Sequence, residues 1–350
     1  MGSMKAFVTA SFDAGGLTRL RRHMDVVHED WRQTKRIYFD GQKLAARLRE
    51  IQATVLIVEA DLVHDDVINQ SALTLIGCCR GDPINIGIEA ATARGIPVLF
   101  TPARNADAVA DLTVANMLAL ARNLFTVNTL LKQGQMRFQS TTDYLEAYET
   151  YGGFELGGVV VGIVGFGAIG RAVAKRLIGF GTRVVAHDPH VAPAVFAEHR
   201  VEAAGLDDLL GCCDILTVHC PELPETQGLI GAPQIRRLKR GAYVLNLARA
   251  AIVDDDALYN ALADGHLAGA ALDVFRDEPV QPDNRFVMLP NVLVSPHLGG
   301  ATRDVVRHQS ATIADGVDAY LDGKRPMHIV NPEVLAETTD DRQQTIDRGS

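Results

Sequence analysis

Val159-Val160-Val161-Gly162-Ile163-Val164-Gly165-Phe166-Gly167-Ala168-Ile169-Gly170 is an aliphatic run that leads straight into glycines spaced G-x-G-x-x-G. The β-branched run suits a buried strand, and residues 171–180 beyond it carry helical spacing. Strand, glycine turn and helix in that order are the fingerprint of a dinucleotide-binding unit. Gly165 permits the tight turn, Gly167 lets backbone amides approach a pyrophosphate, and Gly170 lets helix and strand pack closely. Ala168 and Ile169 stand at the helix N-terminus, whose dipole favours the phosphates. Another strand ends in Asp188, about 20 residues past the turn as the fingerprint requires. A carboxylate there accepts bonds from both ribose hydroxyls and repels a 2′-phosphate, so NAD is expected rather than NADP. The plainer alternative is that Asp188-Pro189 merely opens a turn.

Working outward, strands are expected near residues 183–187, 214–219, 242–247, 268–273 and 292–295, which with the first makes the six of a dinucleotide fold. Ahead of it, strands near 5–10, 25–28, 54–59, 73–78 and 97–100 alternate with helices such as 41–50 and 86–94, a flavodoxin-like series. Between the two, residues 105–134 read as one long apolar helix, a connector or subunit contact, followed by a poorly patterned stretch over 135–153. An amphipathic helix over 302–322 has no strands left to join and is expected to pack back on the first series. The fold class is therefore α/β with two Rossmann-like domains. A discontinuous, flavodoxin-like substrate domain takes residues 1–104 and 299–336, and an NAD-binding Rossmann domain takes 105–298. Residues 337–350 read as a disordered tail, and Met1-Gly2-Ser3 ahead of Met4 as an appended leader.

The 350 residues, 47% hydrophobic, suffice for two cores. With 34 basic against 43 acidic residues the net charge is −9, which disfavours a grip on nucleic acid or an anionic membrane surface. Five cysteines, among them the adjacent pairs Cys78-Cys79 and Cys212-Cys213, look like buried free thiols in a reducing cytoplasm. Neither a signal peptide nor a membrane span is apparent, and no metal site is expected.

Three polar residues follow apolar strands of the second series, on the side of the sheet where ligands of open α/β folds sit. Arg249 lies in Leu245-Asn246-Leu247-Ala248-Arg249, Glu278 in Asp273-Val274-Phe275-Arg276-Asp277-Glu278-Pro279, and His297 follows Ser295-Pro296. Singly they read as a surface charge, a turn residue and an ordinary histidine.

Taken together with the glycine turn, the His219 run HCPELPETQGLI, LNLARAAIVDDDAL, AALDVFRDEP and SPHLGGAT, they resemble the D-isomer-specific 2-hydroxyacid dehydrogenases. The texture is nearest to D-3-phosphoglycerate dehydrogenases, and the resemblance spans about residues 54–331. It implies hydride transfer between NAD(H) and C2 of a small 2-hydroxy or 2-oxo acid. Arg249 would anchor the substrate carboxylate and carbonyl, His297 would be the general acid/base, and Glu278 its partner. A planar guanidinium holds a 2-oxo acid bidentately, and histidine titrates near working pH. Formate dehydrogenases of this fold carry glutamine where Glu278 stands, so Glu278 argues against formate. The resemblance also implies cofactor contacts at Pro221, Thr226, Leu247, Ala248, Asp273, Gly299 and Gly300; for Asp273 the alternative is a strand-end cap. It implies a homodimer paired through the long helix.

The substrate side departs from the family. The loop Arg80-Gly81-Asp82-Pro83-Ile84-Asn85 differs from that of phosphoglycerate enzymes, and Glu59-Ala60-Asp61 stands where they tend to place a phosphate-binding arginine. Two carboxylates there are expected to repel a phosphate. An unphosphorylated hydroxy or sugar acid is then at least as good a candidate as phosphoglycerate, with Arg80, Gly81, Arg104 and Asn105 as further contacts. Other occupants of this scaffold are an NAD(H)-binding corepressor, a phosphite-oxidising enzyme and a silent NAD-binding protein.

Overall fold

In a computed structural model of the chain, residues 4–335 are described. Two compact units emerge, one joining Met1–Arg104 to Thr302–Ser350 and the other comprising Asn105–Ala301. The expected tail and leader lie outside the described residues.

Unit 1 holds strands β1 (Lys5–Val8), β2 (Asp25–His28), β3 (Val55–Val58), β4 (Leu75–Cys78) and β5 (Val98–Phe100). They form one parallel sheet in the order β2-β1-β3-β4-β5. Parallel strands covered on both faces read as unbroken apolar runs, and β3 and β4 are buried at every position. Phe7, Leu56 and Ile76 pack with Leu44 and Leu48, while Ala6, Val8 and Ile57 pack with Leu20, Ile313 and Val317. Each such fully buried aliphatic side chain contributes about 1.5–3 kcal/mol. Helix Arg303–Leu321 supplies Ile313 and Val317, so the end of the chain completes a core begun by its start. Gly316 lets it sit close, since a Cβ there would come within 2.9 Å of Leu99. Asn331 fastens the segment beyond, accepting from Val98 N at 2.8 Å and donating to Ile96 O at 2.9 Å.

Unit 2 holds β6 (Val160–Val164), β7 (Arg183–His187), β8 (Glu202–Ala203), β9 (Ile215–Val218), β10 (Ala242–Asn246), β11 (Leu267–Leu272) and β12 (Val292–Val294). All pair in parallel, in the order β12-β11-β10-β9-β6-β7-β8. The strand order reverses beside β6, so its carboxyl end opens into the crevice where such sheets bind ligands. Two-residue β8 is a strand beyond the six expected.

The single long helix is in fact two, Ala106–Ala121 and Leu124–Lys132, bent by 67°. Asn123 between them takes a left-handed φ of 49°, which asparagine tolerates better than most residues. The first piece buries Val109, Ala110, Thr113, Val114 and Met117, the apolar ones against Val173, Ala174 and Leu177. The stretch thought poorly patterned contains helix Thr141–Tyr151, closed by a reciprocal cap between Ser140 and Asp143. No residue of that helix is buried, which is why its apolar pattern was weak. Among the described residues no single helix is long and apolar enough to cross a membrane.

Candidate active site

The glycine turn follows β6, and each glycine meets a different constraint. Gly165 has φ 92°, and a Cβ on it would fall 2.4 Å from Cys220 N. A Cβ on Gly170 would fall 2.2 Å from Gly165 O, so the first turn of helix Ala168–Ile178 can lie on the glycine loop only without a side chain. Around Gly167 there is nothing within 4 Å of a built Cβ, which leaves an open approach to the backbone. Gly167 is also the N-cap, and no side chain caps the helix. Its first N–H groups, beginning with Ala168 and Ile169, are thus left for an anion, as a pyrophosphate requires.

Asp188 closes the other side of this turn. One carboxylate oxygen accepts from Phe166 N at 2.8 Å and the other from His190 N at 3.0 Å. These bonds hold the carboxylate beside the glycine loop while lone pairs remain for ribose hydroxyls. The turn reading and the ribose reading of Asp188 are therefore compatible.

On the far side of β9, Thr226 Oγ1 donates to Pro221 O at 2.7 Å and accepts from Leu223 N at 2.8 Å, stiffening that loop. His219, just before it, is buried; burial pushes its imidazole down to about 3, so it is neutral. Its Nε2 meets Thr217 Oγ1 at 2.9 Å, and its Nδ1 has no partner among the described residues. Burial likewise pushes the Cys78 and Cys213 thiols up to about 12, so they remain protonated.

From three loops of unit 2, Glu278 and His297 meet, and the charge of Arg249 reaches Glu278. Glu278 Oε2 lies 2.7 Å from His297 Nδ1, and its Oε1 accepts from Phe275 N at 3.0 Å. Burial raises the Glu278 carboxyl, but the His297 and Phe275 bonds and the charges of His297 and Arg249 together hold it below the usual carboxylate range. It is an anion facing two potential cations. With Nδ1 engaged by Glu278, Nε2 of His297 makes no hydrogen bond among the described residues and is the nitrogen left for a reactant.

His297 sits in the left-handed region at φ 56°, a conformation that costs about 1–3 kcal/mol where the surroundings enforce it. Asp273 is what enforces it. Its backbone oxygen accepts from His297 N at 2.8 Å, and its carboxylate takes Leu298 N at 2.8 Å, Gly299 N at 2.7 Å and Ser295 Oγ at 2.5 Å. At 1% exposure it is a buried tie for the histidine loop.

Asn246, which the sequence analysis passed over, does the same for the arginine. Its side chain donates to Arg249 O at 2.9 Å and accepts from Ala248 N at 3.1 Å. Its signal was a lone amide at the end of an apolar strand. Ala248 thereby has its N–H engaged by Asn246 and its C=O by Arg249 at 2.7 Å, and Leu247 is buried. Gly300 lies against Asn105, whose Nδ2 would be 3.1 Å from a Cβ there. Asn105 thus belongs to the surroundings of the histidine loop in unit 2.

The remaining substrate candidates lie in unit 1. Arg80 O accepts from Thr101 N at 2.9 Å, and Gly81 is exposed beside the segment Thr101–Ala103. Arg104 is held by Glu59 at 3.0 Å and by Gln309, a partner 205 positions away that no local pattern reveals. The two carboxylates expected to repel a phosphate are both engaged by other groups. Glu59 is charge-compensated by Arg104 and Arg32, while Asp61 is fully buried and accepts from Tyr38 N at 2.7 Å and from Thr9 Oγ1. Among the described residues no cluster of His, Cys, Asp and Glu could hold a metal ion.

Residues 114–299 match the family described as D-isomer specific 2-hydroxyacid dehydrogenase, NAD binding domain. YoaD of Bacillus subtilis is 37% identical over 297 residues, covering 84% of each chain. The glyoxylate reductase of Thermofilum pendens is 34% identical over 346 residues, covering 96% of each chain. The crystal structure of the TT0316 protein of Thermus thermophilus superposes with a TM-score of 0.79 at 33% identity, covering 93% of this chain and 100% of that one. The open strand-turn-helix, the Glu278–His297 pair and these likenesses agree: the chain belongs to the D-isomer-specific 2-hydroxyacid dehydrogenases, NAD-dependent enzymes of small 2-hydroxy and 2-oxo acids.

Proposed function

We propose that the chain interconverts a small D-2-hydroxy acid and its 2-oxo acid with His297 as general acid/base, Glu278 as its partner and Arg249 as the anchor for carboxylate and carbonyl. The observation that carries this is the 2.7 Å contact of Glu278 with His297 Nδ1, which leaves Nε2 free, with the charge of Arg249 reaching Glu278. The residues around Gly167 fit NAD, which when bound supplies the hydride acceptor or donor at C2. What the protein must then do is move one proton and steady one charge. His297 takes the hydroxyl proton in oxidation and returns it in reduction, contributing on the order of 10²–10⁴-fold. Glu278 stabilises the imidazolium and fixes its tautomer. Arg249, on a backbone held by Asn246, binds the carboxylate with charge-assisted bonds of about 1.5–3 kcal/mol each. Pro221, Thr226, Leu247, Ala248, Asp273, Gly299 and Gly300 are retained as the cofactor-side surface, and Arg80, Gly81, Arg104 and Asn105 as the substrate side.

The test is NADH consumption by the full chain with glyoxylate, hydroxypyruvate, pyruvate, phosphohydroxypyruvate and sugar-derived 2-oxo acids. Turnover of at least one is expected, and none with any would overturn the assignment. We further propose a homodimer. Leu124, Phe125, Phe138, Tyr144, Leu145 and Tyr148 are all exposed within one stretch of 25 positions, an apolar surface that a second copy would cover. Light scattering should give twice the 37.8 kDa chain mass, and a monomer would remove that partner. A cytoplasmic location is consistent with five free cysteines.

A further inference from the structure

Helix Ala168–Ile178, whose first turn lies on the glycine loop, packs near helix Pro193–Glu198 in unit 2, and both bury residues in one core: Val173, Ala174 and Leu177 from the first, Phe196 from the second. Between them opens a recess of about 370 Å³, lined by Arg171, Lys175 and Ile178 on one side and by Glu198, His199 and Arg200 on the other. Arg171, Lys175 and Arg200 are cations, and none of them makes an ion pair among the described residues. Elsewhere on the same helix the reverse holds, for Arg176 takes Asp107 at 3.0 Å and Asp111 at 2.6 Å. With 43 acidic against 34 basic residues, the chain has carboxylates to spare, yet Glu198, the one acid lining the recess, lies beyond ion-pair distance of all three.

The three cations are also placed unfavourably. Arg171 and Lys175 stand four apart on one helix, where like charges are neighbours and repel. Arg171 closes the first turn, where a cation opposes the helix dipole. Arg200 takes a left-handed φ of 56°, a conformation that suits glycine. Val201 N donates to Phe196 O at 3.0 Å with both side chains buried, and the turn so formed leaves Arg200 exposed. An anion in the recess would relieve the repulsion, and a guanidinium from each side offers the planar fork that fits phosphate and carboxylate.

The recess also reaches the glycine turn through Phe166. Its ring is buried, stacks on Phe196 with centroids 4.8 Å apart and meets His199 edge-on at 5.7 Å. Its carbonyl accepts from Arg171 Nη1 at 3.3 Å, and its N–H is the one that holds Asp188. We propose that the recess is a second anion site, for a small polyvalent anion of the polyphosphate or tricarboxylate class, and that filling it weakens dinucleotide binding. The anion draws Arg171 away from Phe166 O, so the residue between Gly165 and Gly167 loses a tie, and it brings negative charge to the turn that must receive a pyrophosphate. Linkage makes the effect mutual, the dinucleotide weakening the anion by the same factor. The coupling rests on the placing of the dinucleotide at the glycine turn; the anion site does not.

The experiment begins with calorimetric titration of the full chain at fixed ionic strength, using tripolyphosphate, citrate and, as the monovalent control, acetate. Saturable binding of tripolyphosphate and citrate, one per chain, is expected, and none of acetate. Lys175→Gln combined with Arg200→Gln alters two exposed side chains and should lower the affinity for both polyanions at least about tenfold. NADH fluorescence titration then reads the coupling. The apparent Kd for NADH should rise about fivefold as tripolyphosphate is added to the wild type and then level off, and in the double variant it should stay in place. No saturable binding of either polyanion, or binding that survives the double substitution, would overturn the site. An NADH Kd that climbs without a plateau in wild type and variant alike is plain competition at the glycine turn and overturns the proposal too, and a Kd indifferent to the anion overturns the coupling. NADH that fails to bind with no anion present defeats the dinucleotide placement instead, and the calorimetry alone then decides the anion site.

Discussion

Each unit begins its sheet with the same movement: a central strand, a turn at its carboxyl end, and a helix returning along the sheet. The two turns are built oppositely. After β6, Gly165-Phe166-Gly167 presents bare backbone and the helix begins uncapped. After β1, residues 9–13 read Thr-Ala-Ser-Phe-Asp, and Asp13 caps helix Ala14–Leu20 by accepting from Gly16 N at 2.7 Å. Phe12 is buried beside it, Ser11 bonds Asp30 at 2.8 Å, and Thr9 bonds Asp61. A helix N-terminus is a place for an anion in both units. In unit 1 the protein supplies the anion itself, whereas in unit 2 it leaves the place for a ligand. One geometry thus serves as a closed structural joint and as an open, uncapped turn, and the difference is a few side chains.

The contrast can be broken or sharpened. The largest effect lies with the chemistry on the open side: His297→Ala should lower kcat by about 10²–10⁴-fold while NADH affinity, followed by fluorescence titration, stays within a factor of a few. Unchanged turnover would remove His297 from proton transfer. Next, Gly167→Asp imports the unit 1 solution into unit 2. The space around Gly167 accommodates the side chain, so the fold should survive, but the carboxylate would occupy the helix end and repel the pyrophosphate. NADH affinity should fall on the order of 100-fold, about 2.7 kcal/mol; retained affinity would mean that the uncapped helix is not the phosphate site.

A smaller effect concerns Glu278, whose carboxyl is held below its ordinary range in the folded state. Such a group adds stability above its unfolded value and loses that contribution as pH falls through the folded one. The thermal midpoint of the wild type should therefore exceed that of Glu278→Gln by a constant margin above about pH 5, closing toward pH 3. A margin independent of pH would mean that the charge of Glu278 is not what His297 and Arg249 stabilise. Smallest, Asp13→Ala should cost about 1 kcal/mol of unit 1 stability, measured by urea unfolding, with NADH affinity unaltered.

Legibility in the sequence followed range. The glycine turn was readable because its constraints act between a residue and backbone a few positions away, so spacing alone encodes them. The same holds for the buried aliphatic strands, whose composition states that both faces are covered. The break at Asn123 was hidden because apolar residues continue on either side of it, and helix Thr141–Tyr151 because it buries nothing; Ser140 and Asp143 were its only sign. The setting of Glu59 was out of reach altogether. As sequence it is an acid two places from another acid, and its meaning depends on Ser11, Trp31, Arg104 and Gln309, up to 250 positions away. Asp273 and Asn246 fall between these cases, polar residues at strand ends whose loop-tying bonds needed coordinates to be seen.

Asn331 and helix Arg303–Leu321 also say something about time. Unit 2 is continuous in sequence, but unit 1 is interrupted after Arg104 and resumes only at Thr302. On a ribosome elongating at roughly 5–20 residues per second, some ten to forty seconds separate the emergence of these two halves. During that interval β5 lacks the Asn331 side chain that holds Val98 and Ile96, and β4 lacks the helix that covers Gly77. The part of the chain made first is the last to be finished, and the nascent protein must carry an uncovered apolar sheet face while the nucleotide-binding unit is synthesised and folds.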